Sequence, residues 1–110
     1  MTRIKGYKKT IVDGIKFDSK REAKRYTELR LLEKAGKISD LKLQVKFLFQ
    51  IGGVYIKYPS GRQMYYKPDF FYFDEEKKDY VIEDAKGHLT ETYKIKRALM
   101  LAMGHKINEV

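Results

Sequence analysis

Apolar positions in this chain recur with two different periods, and the switch between them sets the expected elements. Ser19 with Glu22 three residues later has the spacing of a helix capping box. Ala23, Tyr26, Leu29 and Leu32 then fall at helical spacing, and Gly36 supplies a stop. Upstream, Asp13-Gly14 is a turn signal before a short strand at Ile15–Phe17. From Leu41 the period becomes two: Leu41, Leu43, Val45, Phe47 and Phe49 alternate with Lys42, Gln44, Lys46 and Leu48. Gly52-Gly53 predicts a hairpin turn, with residues 54–58 as the returning strand. Pro59-Ser60-Gly61 is a further turn. Residues 64–73 form an aromatic strand, 74–79 a polar turn, and 80–86 a third main strand closed by Gly87. Thr90 is placed to cap a second helix carrying Tyr93, Ile95, Leu99, Met100 and Met103 up to Gly104, and 107–110 reads as a last short strand. Tight turns between the early strands imply antiparallel pairing. The second helix then serves as a crossover that returns the last strand parallel. The expected fold class is α/β in the α+β sense, a mixed sheet with helices packed on it.

Composition narrows the function. The chain of 110 residues fits one domain: a basic arm at 1–12 (Arg3, Lys5, Lys8, Lys9) followed by a single unit at 13–110. Absence of cysteine excludes disulfides, thiolate metal sites and cysteine nucleophiles. Only two histidines, His88 and His105, argue against a histidine-rich zinc site, so any metal is expected to be a hard cation held by oxygens, Mg2+ or Mn2+. No apolar run approaches a membrane span and the basic start lacks an apolar core, so a cytoplasmic protein with no membrane partner is expected. The net charge of +9 asks for a polyanionic partner, DNA above all.

Three elements carry candidate chemistry. In Glu83-Asp84-Ala85-Lys86-Gly87, a strand puts Asp84 and Lys86 on one face and Glu83 on the other. A carboxylate can hold a divalent cation while the neighbouring lysine orients water or neutralises phosphate charge. Acid-x-Lys occurs six times in the chain, but only Asp84/Lys86 ends an apolar strand just before a glycine. A simple cross-strand ion pair is the competing explanation. Pro68-Asp69 interrupts an aromatic run in which neither residue is favoured. Either it marks a bulge or edge, or proline aims Asp69 inward beside Asp84, where two carboxylates need a cation between them. Glu22 lies on the apolar side of the first helix, as a cap or as a further acid of the site. For nucleic acid, the expected contacts are Thr90, Tyr93, Lys94, Lys96 and Arg97 on the second helix, with Lys20, Arg21, Arg62 and Lys67 extending the track. Gln44, on the polar side of the alternation, is the weakest addition, and plain solvent exposure is the competing explanation.

A helix with an acid, then Pro68-Asp69, then Asp84-Ala85-Lys86 on a strand some fifteen residues later, then another helix, resembles the PD-(D/E)XK nuclease superfamily. The stretches Asp13 to Ala23, Leu43 to Phe47 and Glu83 to Gly87 are similar to small phage proteins described as endonucleases. The resemblance implies a restriction-endonuclease-like core. It also implies Mg2+ or Mn2+ on Asp69, Asp84 and the Ala85 carbonyl, with Lys86 assisting the attacking water and Glu22 as the helix acid. The function it implies is hydrolysis of DNA phosphodiesters, on branched or duplex DNA in phage replication or recombination, by a homodimer with two centres. Two other readings stay open: a non-catalytic DNA-binding accessory, and an interaction protein docking through its aromatic strand.

Overall fold

A computed structural model of the chain describes residues 9–85 and 89–110. The chain opens with a hairpin, β1 (Thr10–Val12) and β2 (Ile15–Phe17), turned by Asp13-Gly14 with both residues at positive φ. Thr10–Val12, expected within the basic arm, are therefore part of the folded unit. Helix α1 (Lys20–Lys34) follows, and the Ser19 hydroxyl accepts the Glu22 N–H at 3.1 Å. It ends at Gly36 (φ 77°), where the Gly36 and Lys37 amides bond back to Glu33 and Leu32. Only glycine takes that left-handed cap without strain.

The main sheet has four strands in the order β10-β9-β8-β3. Strands β3 (Ile38–Leu43), β8 (Phe70–Asp74) and β9 (Asp79–Asp84) pair antiparallel. Helix α2 (Glu91–Ala102) then carries the chain back so that β10 (Ile107–Glu109) runs parallel to β9. The sheet is thus mixed, with two helices, as expected. Alternation sorts the core onto two faces. Phe70, Tyr72 and Val81 meet α1 through Ala23, Tyr26 and Leu29. Ile82 and Ile107 meet α2 through Tyr93 and Met100. Phe70, Leu29 and Met100 are wholly buried, and each such side chain contributes on the order of 2 kcal/mol.

Two expectations about strands are corrected. The alternating run from Leu41 to Phe49 is not one strand. It starts earlier, at Ile38, passes a bulge between Ser39 and Lys42, and breaks at Gln44, whose φ is 58°. The aromatic run 64–73 also divides, because Pro68 has no N–H for the ladder. Between the two breaks the chain leaves the sheet as an arm. Its paired segments are β4 (Phe47–Leu48) with β7 (Tyr65–Tyr66), and β5 (Gln50–Ile51) with β6 (Val54–Tyr55) across Gly52-Gly53. The returning strand expected at 54–58 is regular only over Val54–Tyr55, with Lys57 bridged to Gln63 beyond it. The Gln63 amide ties the arm together by donating to the carbonyls of Phe49, Ile56 and Met64. On α2, Ile95 is exposed rather than part of the core. No helix among the described residues is long and apolar enough to cross a membrane.

Candidate metal-dependent active site

The register of the sheet brings Asp69 and Asp84 together. Phe70 pairs with Glu83 in the antiparallel β8/β9 ladder, so the next step along it sets Asp69 opposite Asp84. Continued by one residue, that register puts the two acids on the same face of the sheet. A hydrogen bond ties the junction: the Ala85 N–H donates to Asp69 Oδ2 at 2.9 Å. Pro68, fully buried, ends the irregular stretch from which Asp69 projects. On the other side, Leu43 pairs with Phe70 and the Gln44 N–H reaches the Asp69 carbonyl at 3.4 Å. Gln44 and Asp69, each just outside the end of its strand, therefore lie next to one another at the Asp84 end of the sheet. Asp84 is 1% exposed. Lys86, Gly87 and His88 lie outside the described residues.

Glu83 has a separate role. It too is 1% exposed, but it faces α1, where Arg25 grips it through Nε–Oε1 at 2.7 Å and Nη2–Oε2 at 2.8 Å. The Tyr72 hydroxyl donates to the same carboxylate. The hydrogen bond to Glu83 raises the Arg25 pKa further above its usual value. Burial, then the bond to Glu83, pushes the Tyr72 phenol well above its usual range. This cluster was not singled out in the sequence. Its signal was a lone acid on the apolar face of a strand, which needs a cation from the facing helix.

Glu22 sits half-buried in the first turn of α1. That turn lies at the Asp84 end of the sheet: Arg21 Nη1 donates to the Val110 carbonyl at 3.1 Å, and the Val110 N–H donates to the Asp84 carbonyl at 2.9 Å. Several expected DNA contacts are engaged within the fold. The Thr90 hydroxyl caps α2 by accepting from the Tyr93 N–H. The Tyr93 hydroxyl and Arg97 both donate to Glu109 Oε2 at 2.6 Å. Burial, then that bond to Glu109, raises the Tyr93 pKa. Lys94 pairs loosely with Glu91 at 3.5 Å, and Arg62 lies 4.7 Å over the Tyr58 ring. Lys20 and Lys67 are exposed.

Among the described residues no three His, Cys, Asp or Glu side chains converge as a metal cage. The donor set is instead two carboxylates beside a main-chain segment. That suits Mg2+, which keeps several waters and takes one or two carboxylates along with substrate phosphate.

Fold and site together define a mixed α+β domain with a carboxylate pair at the end of its central strands. The chain belongs to the family described as protein of unknown function (DUF1064), whose model matches residues 3–108. No curated protein and no solved structure matches it.

Proposed function

We propose that this protein is a metal-dependent DNA endonuclease of the PD-(D/E)XK kind, with a restriction-endonuclease-like core. The observation that carries the reading is that Asp69 and Asp84 both lie directly beyond the Phe70–Glu83 pair that ends the ladder, where the Ala85 N–H bonds the Asp69 carboxylate. Carboxylates on one face beside a main-chain carbonyl are the oxygen donors a hard divalent cation takes. The order helix, three antiparallel strands, helix, parallel strand supports the same reading, as does the net charge of +9.

In this reading Asp69, Asp84 and the Ala85 carbonyl hold Mg2+ or Mn2+. The bound ion supplies Lewis acidity toward the phosphate and activation of water. Lys86 orients that water, and Glu22 adds a carboxylate from α1. The substrate is duplex or branched DNA in phage replication or recombination, and a homodimer supplies two centres for two strands. The alternative of a non-catalytic DNA-binding accessory draws on the net charge alone. It predicts binding indifferent to Mg2+ and to the acids.

The test is cleavage of supercoiled plasmid and of a synthetic four-way junction with Mg2+, Mn2+ or EDTA. Wild type is expected to cut only with metal. Asp84→Ala, Asp69→Ala and Lys86→Ala should each lose on the order of a hundredfold or more. Cutting by Asp84→Ala at the wild-type rate rules out the proposed centre.

A further inference from the structure

The stretch from Leu41 to Pro68 holds Lys42, Lys46, Lys57, Arg62 and Lys67 and not one Asp or Glu, in a chain with 15 acids among 110 residues. It contains the whole arm, which starts and ends at the Gln44–Asp69 contact. The arm lies along α2: Phe47, Phe49, Ile56, Met64 and Tyr66 pack with Tyr93, Leu99, Met100 and Met103. At its base, where arm and helix meet, the Tyr65 ring takes two cations. Lys46 Nζ is 4.7 Å from its centroid and Lys96 Nζ is 5.9 Å away. Among the described residues neither ammonium has a carboxylate within salt-bridge distance, whereas Lys94 and Arg97 on the same helix both do.

Both ammonium groups lie within 6 Å of one centroid, so their separation does not exceed the Debye length at physiological salt, about 8 Å, by more than a few ångströms. Attraction to an aromatic face is worth only ~1 kcal/mol at a surface, and the mutual repulsion of the two cations opposes it. An anion within reach of both, over the ring or at its edge, relieves that repulsion. Tyr65 precedes Asp69 by four residues, roughly 13 Å of extended chain. That is at most about four nucleotides along a duplex axis.

We propose that Lys46, Tyr65 and Lys96 form a seat for a backbone phosphate of duplex DNA, flanking the carboxylate pair and setting where along the strand it acts. The choice of DNA as the polyanion rests on the nuclease reading; the anion seat rests on the cation pair. An anionic membrane is the poorer fit. Of the exposed apolar side chains of the arm, Ile51, Val54 and Tyr55 are at its tip; at the base, beside the cation pair, there is only Leu48, 40% exposed and paired with Tyr65. An interfacial anchor places the two side by side.

The experiment is binding of a short labelled duplex in EDTA over a range of salt, so that cleavage plays no part. Lys46→Ala/Lys96→Ala should weaken binding about tenfold or more and lower the salt slope by about one to two. Lys46→Arg/Lys96→Arg should restore it. Lys34→Ala/Lys77→Ala, which removes the same charge elsewhere, should leave affinity near wild type. The seat is overturned if the alanine pair binds like wild type, if the distant pair loses as much, or if wild type binds anionic vesicles but no duplex. Loss of binding in the alanine pair together with no metal-dependent cutting by wild type would sink the nuclease reading and leave the seat standing. Unchanged binding with intact cutting would do the reverse.

Discussion

At the residue scale, two adjacent acids on one strand have opposite tasks. Glu83 and Asp84 are equally buried, but strand geometry sends them to opposite faces. Glu83 meets Arg25 and Tyr72, so it holds α1 to the sheet. Arg25→Ala leaves a buried carboxylate without its cation and should cost ~3 kcal/mol in denaturant unfolding. Glu83→Gln should also destabilise, yet neither change should abolish the metal dependence of cleavage, since both act on the α1 face. A catalytic loss in Glu83→Gln as deep as in Asp84→Ala would move the site to the other acid. Gln44 gives a second contrast. Its φ of 58° is costly for any residue with a Cβ, so Gln44→Gly should stabilise the fold by ~1 kcal/mol. If the amide side chain serves the site beside Asp69, the same variant should cut more slowly while unfolding later. Unchanged cleavage would make Gln44 a turn residue and nothing more.

At the element scale, the capping residues decide where chemistry is delivered. Ser19 fixes the first turn of α1, and that turn carries Glu22 to the Asp84 end of the sheet. Ser19→Ala should lower stability by ~1 kcal/mol. It should reduce cleavage beyond that only if Glu22 belongs to the site, so activity measured well below the melting range separates the two. Much at this scale was legible in the sequence. Both helices start at the expected caps, Ser19 and Thr90, and stop at the expected glycines, Gly36 and Gly104, because capping chemistry is local. The Gly52-Gly53 turn was legible for the same reason, and the parallel return of β10 because a helical crossover can bring a strand back parallel. The interruptions were not. Alternation from Leu41 to Phe49 is unbroken, and nothing local marks Gln44 as left-handed; the break is forced where the arm departs opposite Pro68. In the site, the strand period separated Asp84 from Glu83, but not the partner each would meet. Arg25, Lys46 and Tyr65 passed unnoticed, since periodicity names a face and not its neighbour across 20 to 60 residues.

At the scale of the whole molecule, tyrosine hydroxyls bonded to carboxylates tie neighbouring elements together. Tyr72 joins β8 to Glu83 on β9, Tyr26 joins α1 to Asp13 in the turn between β1 and β2, and Tyr93 joins α2 to Glu109 on β10. All three pKa values are raised, first by burial and then by the bonded acid. The consequence for stability follows from linkage. A raised folded value means the native state keeps protons that the unfolded chain releases from about pH 10. Their contribution is therefore intact below that point and is lost as pH climbs toward the folded values. Stability measured by denaturant should be steady through neutrality and fall steeply above about pH 10, even though loss of lysine charge relieves self-repulsion in a chain of net charge +9. Tyr72→Phe should start lower, by ~1 kcal/mol, but decline less steeply, because one of the linked protons is gone. Its tyrosinate absorbance should also lack the latest-titrating part of the wild-type curve. A wild-type stability that stays level or rises through that window, or a Tyr72→Phe slope equal to wild type, would mean that these hydroxyl–carboxylate bonds do not stabilise the fold.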